Sequence, residues 1–260
     1  MKAIVMTDKL KKDESMTNPQ TENKIALVFG GSRGIGAAIA RRLARDGFTV
    51  ALTYVSRPDK ADEVVAAIKA DGRSAIAIKA DSADPAAIRA AVAETVDHFG
   101  PLNVAVINAG VLRHGTVDQV SLEDLDLVLN VNVRGVFLAI QAAAANMRDG
   151  GRIITIGSNA AIRTGFPGSS VYSMSKAAVA RMVKGIALDL APRRITVNNV
   201  QPGPTETDMT AAMIDKLVDI IPLKRVGEPR EIAALVSYLA NDESGYMTGS
   251  DLTIDGGFIL

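Results

Sequence analysis

An α/β fold is what this sequence predicts: a doubly wound, seven-stranded parallel sheet with helices on both faces, in a single domain. Three observations predict it. From Lys24 onward, short β-rich runs alternate with longer Ala-rich helical patterns. Most of the short runs are continuously apolar instead of alternating, as strands covered on both faces are. No Pro/Ser-rich linker or low-complexity stretch interrupts the middle, so the 260 residues, 48% of them hydrophobic, read as one large domain.

In chain order, the apolar run Ile25–Phe29 is the first strand, and a glycine-rich turn behind it feeds a helix over Ile35–Asp46. Thr49–Tyr54 is followed by the helical pattern Lys60–Asp71, Ser74–Lys79 by Pro85–Phe99, and Val104–Asn108 by the long pattern Leu122–Met147. Ile153–Gly157 then leads into Ser170–Leu190, Thr196–Gln201 into Arg230–Ala240, and Leu252–Ile254 closes the sheet. Repeated strand-to-helix passage argues for parallel crossovers with helices above and below. Ligands of such sheets sit beyond the carboxyl ends of the strands, at the switch point, which is where chemistry is to be sought. Residues 1–23, rich in Lys, Asp, Glu, Thr and Asn, read as a flexible N-terminal extension.

Composition excludes several function classes. Lys and Arg number 29 against 29 Asp and Glu, so nothing draws the chain to nucleic acid or to an anionic membrane. Cys is absent and the two histidines, His98 and His114, stand alone, which removes disulfides, thiolate zinc sites and His-based triads. No metal is expected. Without an apolar run of bilayer length or a secretory signal, the chain reads as cytoplasmic, with a small molecule or a second copy as its partner.

Two local patterns carry chemistry. Gly30-Gly-Ser-Arg-Gly34-Ile-Gly36 stands between the first strand and the first helix. Glycines there let the backbone approach a pyrophosphate, whose charge the free N–H groups of the helix start favour. Tyr172 and Lys176 lie four residues apart in Val171-Tyr-Ser-Met-Ser-Lys176, a spacing that stacks both side chains on one helix face, about 5–6 Å apart at Cβ. A phenol with a pKa of about 10 is a poor acid near neutrality unless a cation favours its ionised form. Lys176 is placed to be that cation. Ser158, read as an acyl-transfer nucleophile, lacks a histidine base.

Taken together, these motifs resemble the short-chain dehydrogenase/reductase family. Its Thr-Gly-x-x-x-Gly-x-Gly pattern matches at Gly30, Gly34 and Gly36, its Asn-Ala-Gly at Asn108-Ala109-Gly110, and its Tyr-x-x-x-Lys at Tyr172 and Lys176. The likeness runs from Lys24 to the C-terminus and includes Gln201–Thr207 and Met247–Gly257. Phe29 departs from the pattern, standing where the family usually has Thr. The resemblance implies a Rossmann-type fold and hydride transfer between a nicotinamide nucleotide and a carbonyl or alcohol. It implies that Tyr172 protonates the carbonyl oxygen, that Ser158 hydrogen-bonds it, that Lys176 lowers the phenol pKa and holds the nicotinamide ribose, and that Asn132 holds water in a proton relay. The nucleotide would lie along Gly30, Ser32, Arg33, Gly34, Ile35, Gly36, Tyr54, Ser56, Arg57, Asp81, Ser82, Asn108, Ala109, Gly110, Pro202, Gly203, Thr205 and Thr207, besides Tyr172 and Lys176.

NADP(H) is favoured over NAD(H), because the second strand ends in Thr53-Tyr54-Val55-Ser56-Arg57 without the acid that would accept ribose hydroxyls. Arg33 and Arg57 are instead suited to a 2′-phosphate, with Ser56 donating a hydrogen bond. The loops Val111–Val117, Asn159–Gly168 and Thr207–Leu223 should line the substrate, and Ala211–Leu217 reads as an amphipathic lid, which favours an apolar or medium-sized carbonyl compound. Within the family the pattern most resembles the 3-oxoacyl-acyl-carrier-protein reductase group. A reductase of another carbonyl or sugar, or a non-catalytic dinucleotide-binding sensor, is the alternative. Apolar positions in the two long helices, among them Val136, Phe137, Ile140, Val179, Val183 and Ile186, exceed what covering a sheet requires and point to subunit contacts. The resemblance implies a homotetramer, with a dimer as the fallback.

Overall fold

A computed structural model describes residues 24–208, 210–211 and 214–260. The expected extension over 1–23 and part of the expected lid, Ala212 and Met213, lie outside the described residues. Seven strands form one sheet: β1 (Ile25–Phe29), β2 (Thr49–Tyr54), β3 (Ala75–Lys79), β4 (Leu102–Ile107), β5 (Met147–Ile156), β6 (Thr196–Pro202) and β7 (Asp251–Ile254). Their order is β3-β2-β1-β4-β5-β6-β7, and every neighbouring pair is parallel. The chain winds outward from β1 in one direction and from β4 in the other, so the switch point lies between these two strands.

Among the described residues there are eight α-helices: α1 (Gly34–Arg45), α2 (Pro58–Ala70), α3 (Pro85–Phe99), α4 (Leu122–Leu129), α5 (Val136–Ala145), α6 (Ser170–Leu190), α7 (Ile214–Ile220) and α8 (Pro229–Ala240). Two cores result. On one face Ile25, Leu27 and Phe29 of β1 meet Ile88 of α3, Ile140 of α5 and Val183 of α6; on the other Ala26 and Val28 meet Leu43 of α1, Val64 of α2 and Val236 of α8. Side chains of one strand alternate between the two cores, yet both are apolar, so the alternation leaves no trace in the sequence. Each fully buried Leu, Ile or Phe stabilises the fold by about 1.5–3 kcal/mol.

The expected bounds of β1, β2, α3 and α6 match those observed, and α2 and α8 each begin a residue or two earlier, with proline in the first turn. One long helix does not match. Leu122–Met147 breaks into α4, a π-helical turn over Asn130–Gly135 and α5, and Met147 already belongs to β5. The break at the C-terminal end has a visible cause: Arg193 donates from Nη1 to the Ala144 carbonyl (2.6 Å) and from Nη2 to that of Met147 (2.6 Å), satisfying oxygens that a continuing helix would have used. The stretch holds no unbroken apolar run of bilayer length, since Asp126, Asn130, Asn132 and Arg134 interrupt it, yet its average over a helical span is apolar. Leu122–Ala145 is long and apolar enough to cross a membrane on length and composition, its most apolar 18-residue window having mean hydropathy 1.5, but half of that window is buried inside the fold.

Candidate active site

Six consecutive strand ends bring their following loops to one edge of the sheet. At the switch point the glycine turn is braced from below: Gly30 N–H donates to Thr53 Oγ1 (2.9 Å), Gly31 N–H to the Thr53 carbonyl (2.9 Å), and Asn108 Nδ2 to the Gly30 carbonyl (2.8 Å). Thr53 thus engages the turn that Phe29, buried in the core, cannot serve with a hydroxyl. A Cβ at Gly36 would run into the Gly30 carbonyl oxygen, so only glycine lets α1 start this close to the strand. No side chain caps the start of α1 and its first turn carries no acid, which leaves its N–H groups and dipole for an anion. Beside it a cavity of about 460 Å³ is lined by Gly34, Thr207, Asp208, Ala211 and Ile214.

Tyr54, Ser56 and Arg57 follow at the end of β2, and Asp81 and Ser82 after β3. Arg33 is paired with Asp208 (3.3 Å), and Arg57 makes a two-pronged pair with Asp59, from Nε (2.9 Å) and Nη2 (2.6 Å). Asp59 holds the Arg57 guanidinium above its ordinary pKa, and Asp208 adds to the effect, so both arginines lie in the field of one carboxylate. Pro202 closes β6, Gly203 N–H donates to the Ile254 carbonyl (2.9 Å), Thr205 is buried, and Thr207 faces Gly34. Ser32 and Ile35 lie in the turn and the first residues of α1, and Ala109 packs directly against Gly30.

At the other end of the edge, Ser158 stands two residues beyond β5, and Tyr172 and Lys176 sit one turn apart near the start of α6. The Ser158 side chain is near enough to the Tyr172 phenol to act on its pKa, and its Oγ accepts from the Ala160 N–H (3.1 Å). Lys176, 5% exposed, donates from Nζ to the Ile156 carbonyl (3.0 Å) and lies 5.7 Å from the centre of the Tyr172 ring. Asn132 comes from the π-turn and is fully buried. Its Oδ1 accepts from Val111 N–H (2.8 Å), while Nδ2 donates to the Val111 carbonyl (2.9 Å) and to Ser175 Oγ (3.1 Å). Asn132 Oδ1 and Lys176 Nζ both lie 3.5 Å from the point where Gly110 would carry a Cβ.

Electrostatics here correct one expectation. Burial pulls the Lys176 ammonium down to about 8 and pushes the Tyr172 phenol above its ordinary range, against the Ser158 hydrogen bond, which works to lower it. Desolvation penalises both charged forms, and in this arrangement it outweighs any preference that Lys176 gives to the phenolate. Tyr172 is therefore held as a protonated phenol, with a hydroxyl to donate. Two residues escaped the sequence reading. Thr53 gave no signal, since its contact with the glycine turn exists only in three dimensions. Ser175, which accepts from Asn132 and donates to the Tyr172 carbonyl (2.7 Å), stands inside the Tyr-x-x-x-Lys stretch itself.

The family described as Enoyl-(Acyl carrier protein) reductase matches residues 30–259. Versicolorin reductase 1 of Aspergillus parasiticus is 42% identical over 256 residues, 92% of this chain and 98% of the relative. The chain belongs to the short-chain dehydrogenase/reductase family. It is accordingly an NAD(P)-dependent oxidoreductase. Another short-chain dehydrogenase/reductase relative, the 3-oxoacyl-(acyl-carrier-protein) reductase of Staphylococcus aureus, is 40% identical over 243 residues, 91% of this chain and 98% of its own. Among solved structures, a short-chain dehydrogenase from Burkholderia cenocepacia J2315 in complex with NADP superimposes with a TM-score of 0.88 at 48% identity, covering 91% of this chain and 98% of that one.

Proposed function

We propose that this enzyme reduces the carbonyl of an apolar, medium-sized compound to an alcohol with NADPH, in the cytoplasm, and that 3-oxoacyl thioesters are among its substrates. The observation that carries the reading is the meeting of Ser158, just beyond β5, with the Tyr172 phenol and the buried Lys176, whose Nζ holds the Ile156 carbonyl and lies 5.7 Å from the Tyr172 ring centre. When bound, NADPH supplies the hydride. Tyr172 donates its phenolic proton to the carbonyl oxygen as charge develops there, and Ser158 donates a second hydrogen bond to the same oxygen. Ser158 Oγ accepts from the Ala160 N–H, so its single proton must turn from the phenol to the substrate oxygen when the carbonyl is bound. Lys176 holds the nicotinamide ribose and returns a proton toward Tyr172. Both amide protons of Asn132 are spent on Val111 and Ser175, which leaves one Oδ1 lone pair to hold a water beside Lys176.

The glycine turn, the uncapped start of α1 and the cavity at Gly34 and Thr207 fit a dinucleotide, whose pyrophosphate the α1 N–H groups would hold. Asn108, Ala109 and Gly110 support its ribose side, and Asp81 and Ser82 its adenine. Choice of NADPH over NADH rests on Arg33 and Arg57. Exposed ion pairs such as theirs with Asp208 and Asp59 contribute little, so a 2′-phosphate displaces them readily. The NADP complex of the Burkholderia relative supports this preference. The assembly we propose is a homotetramer, or a dimer.

The test is a panel of ketones, β-ketoacyl thioesters and sugars with NADPH and NADH, followed by loss of reduced-nicotinamide absorbance. Turnover with NADPH is expected, with Tyr172→Phe slowing it by about 10²–10⁴-fold. Tight nucleotide binding with no turnover on any carbonyl overturns the reading in favour of a dinucleotide sensor.

A further inference from the structure

We propose that Asp255 is a positioning residue for the proton-donating pair: through Asn159 it fixes the turn that aims the Ser158 hydroxyl, making the C-terminal segment Asp255–Leu260 part of the catalytic geometry. The inference rests on the reductase reading above. Ser158 is extended, at φ −168° and ψ 151°, and its Oγ accepts from Ala160 N–H, so the direction of its hydroxyl follows the 3-10 turn Asn159–Ala161. The first residue of that turn is buried, and its Nδ2 donates to Asp255 Oδ2 (3.3 Å).

Asp255 is itself held by the segment it begins. Oδ1 accepts from Gly257 N–H (2.9 Å), and Oδ2 accepts from Ile259 N–H (3.1 Å) as well as from Asn159. Three donors converge on one carboxylate. An amide at this position has a single oxygen and would turn N–H groups toward N–H groups. A second tie runs in parallel: Arg163, whose N–H extends the turn by donating to the Asn159 carbonyl (3.1 Å), donates from Nη1 to the Phe258 carbonyl (2.7 Å) and lies 5.6 Å from the Phe258 ring centre. On its other side Asp255 packs against Gly203, where any Cβ would run into it. Asp255 therefore touches both loops, the Ser158 turn through its carboxylate and the loop proposed to meet the nucleotide through its Cα and Cβ.

Asn159→Ala, Asp255→Asn and the double variant test this, measured with NADPH and the best carbonyl substrate of the unaltered enzyme. A misplaced hydroxyl lowers kcat by about ten- to a hundredfold, while KM for NADPH stays within about twofold, since no nucleotide contact is removed. The double variant is expected to be no slower than the slower single, because both break one tie. Amide exchange over Ser158–Arg163 should quicken in each variant. That readout needs no turnover: if the unaltered protein reduces nothing, the reductase reading fails while exchange still reports the tie. Unchanged kcat in Asn159→Ala with an active parent, additive losses in the double variant, or unchanged exchange at the turn overturns the proposal. Asn159→Ala leaves the bonds from Gly257 and Ile259 to Asp255 in place, so it reads the tie even if Asp255→Asn fails to fold.

Discussion

Lys176 carries a buried charge, and its pKa of about 8 sets two pH dependences of opposite sense. In the unfolded chain a lysine holds its proton to about 10.4. Between those values the unfolded state binds a proton that the native state has released, so this group makes the fold more stable as pH rises through the window. Activity moves the other way. In kcat/KM for NADPH, which reports the nucleotide-free protein, reduction should hold below pH 8 and decline above it as the ammonium is lost. Urea denaturation and initial rates on either side of pH 8 separate the two trends, and Lys176→Met should flatten the stability trend while abolishing turnover. At the nucleotide end, Arg57 is engaged by Asp59. Arg57→Ala should weaken NADPH binding about tenfold or more while leaving NADH within about twofold. Asp59→Ala, which frees the guanidinium, should tighten NADPH. Titration of nucleotide fluorescence checks both, and equal effects on the two nucleotides would refute the assignment of Arg57 to the 2′-phosphate.

Among the elements, the π-turn over Asn130–Gly135 has the strongest bearing on the site. It aims Asn132 inward between Val111 and Ser175, and its last residue lies so near the Ser82 carbonyl that a Cβ there would strike it. Gly135→Ala should therefore cost about 1–3 kcal/mol by overpacking and disturb Asn132 and Ser82 together. Thermal melting, kcat and nucleotide affinity are all expected to fall; a change in melting temperature alone would show that the turn does not transmit to the site. The π-turn also marks where the sequence stopped being legible. Strands β1 and β2 could be read to the residue because both their faces are buried in apolar cores, and α3 and α6 because a polar residue, Asp84 or Ser169, precedes each and a proline, Pro101 or Pro192, follows within two positions. Leu122–Met147 has no glycine or proline to mark an interruption before Gly135, so its periodicity runs on through the bulge. Its true end is dictated by Arg193, nearly fifty positions away in sequence. The motif residues at the sheet edge were legible for a different reason: Gly36, Asn108, Tyr172 and Lys176 each answer a local backbone or spacing demand. Thr53 and Asp255 answer contacts between distant loops, which no local pattern records.

At the scale of the whole molecule, the surplus of apolar residues in α5 and α6 resolves into two populations. Val136, Ile140, Val179 and Val183 are buried within the subunit, so four of the six residues read as subunit contacts are core instead, required because these helices cover the sheet from edge to centre. Phe137 is 45% exposed and helps line a groove of about 570 Å³ with Leu129, Val133, Leu138 and Met182. That groove is one exposed apolar surface that the proposed assembly would use. A formal charge of zero puts no long-range repulsion between copies, and a two-fold contact would set each subunit's Phe137 against the other's groove. The groove also takes in Asn130 and Arg134, which lie two positions before and after Asn132 in the same π-turn. Anything seated there braces the outer side of the turn whose inner side holds the relay asparagine. Phe137→Asp, which places a charge in an apolar seat, should thus convert the assembly to a smaller species in sedimentation at micromolar concentration and lower kcat with it. Retained kcat in a dissociated variant would uncouple assembly from the site, and an unaltered protein that already sediments as a monomer would remove the assembly altogether.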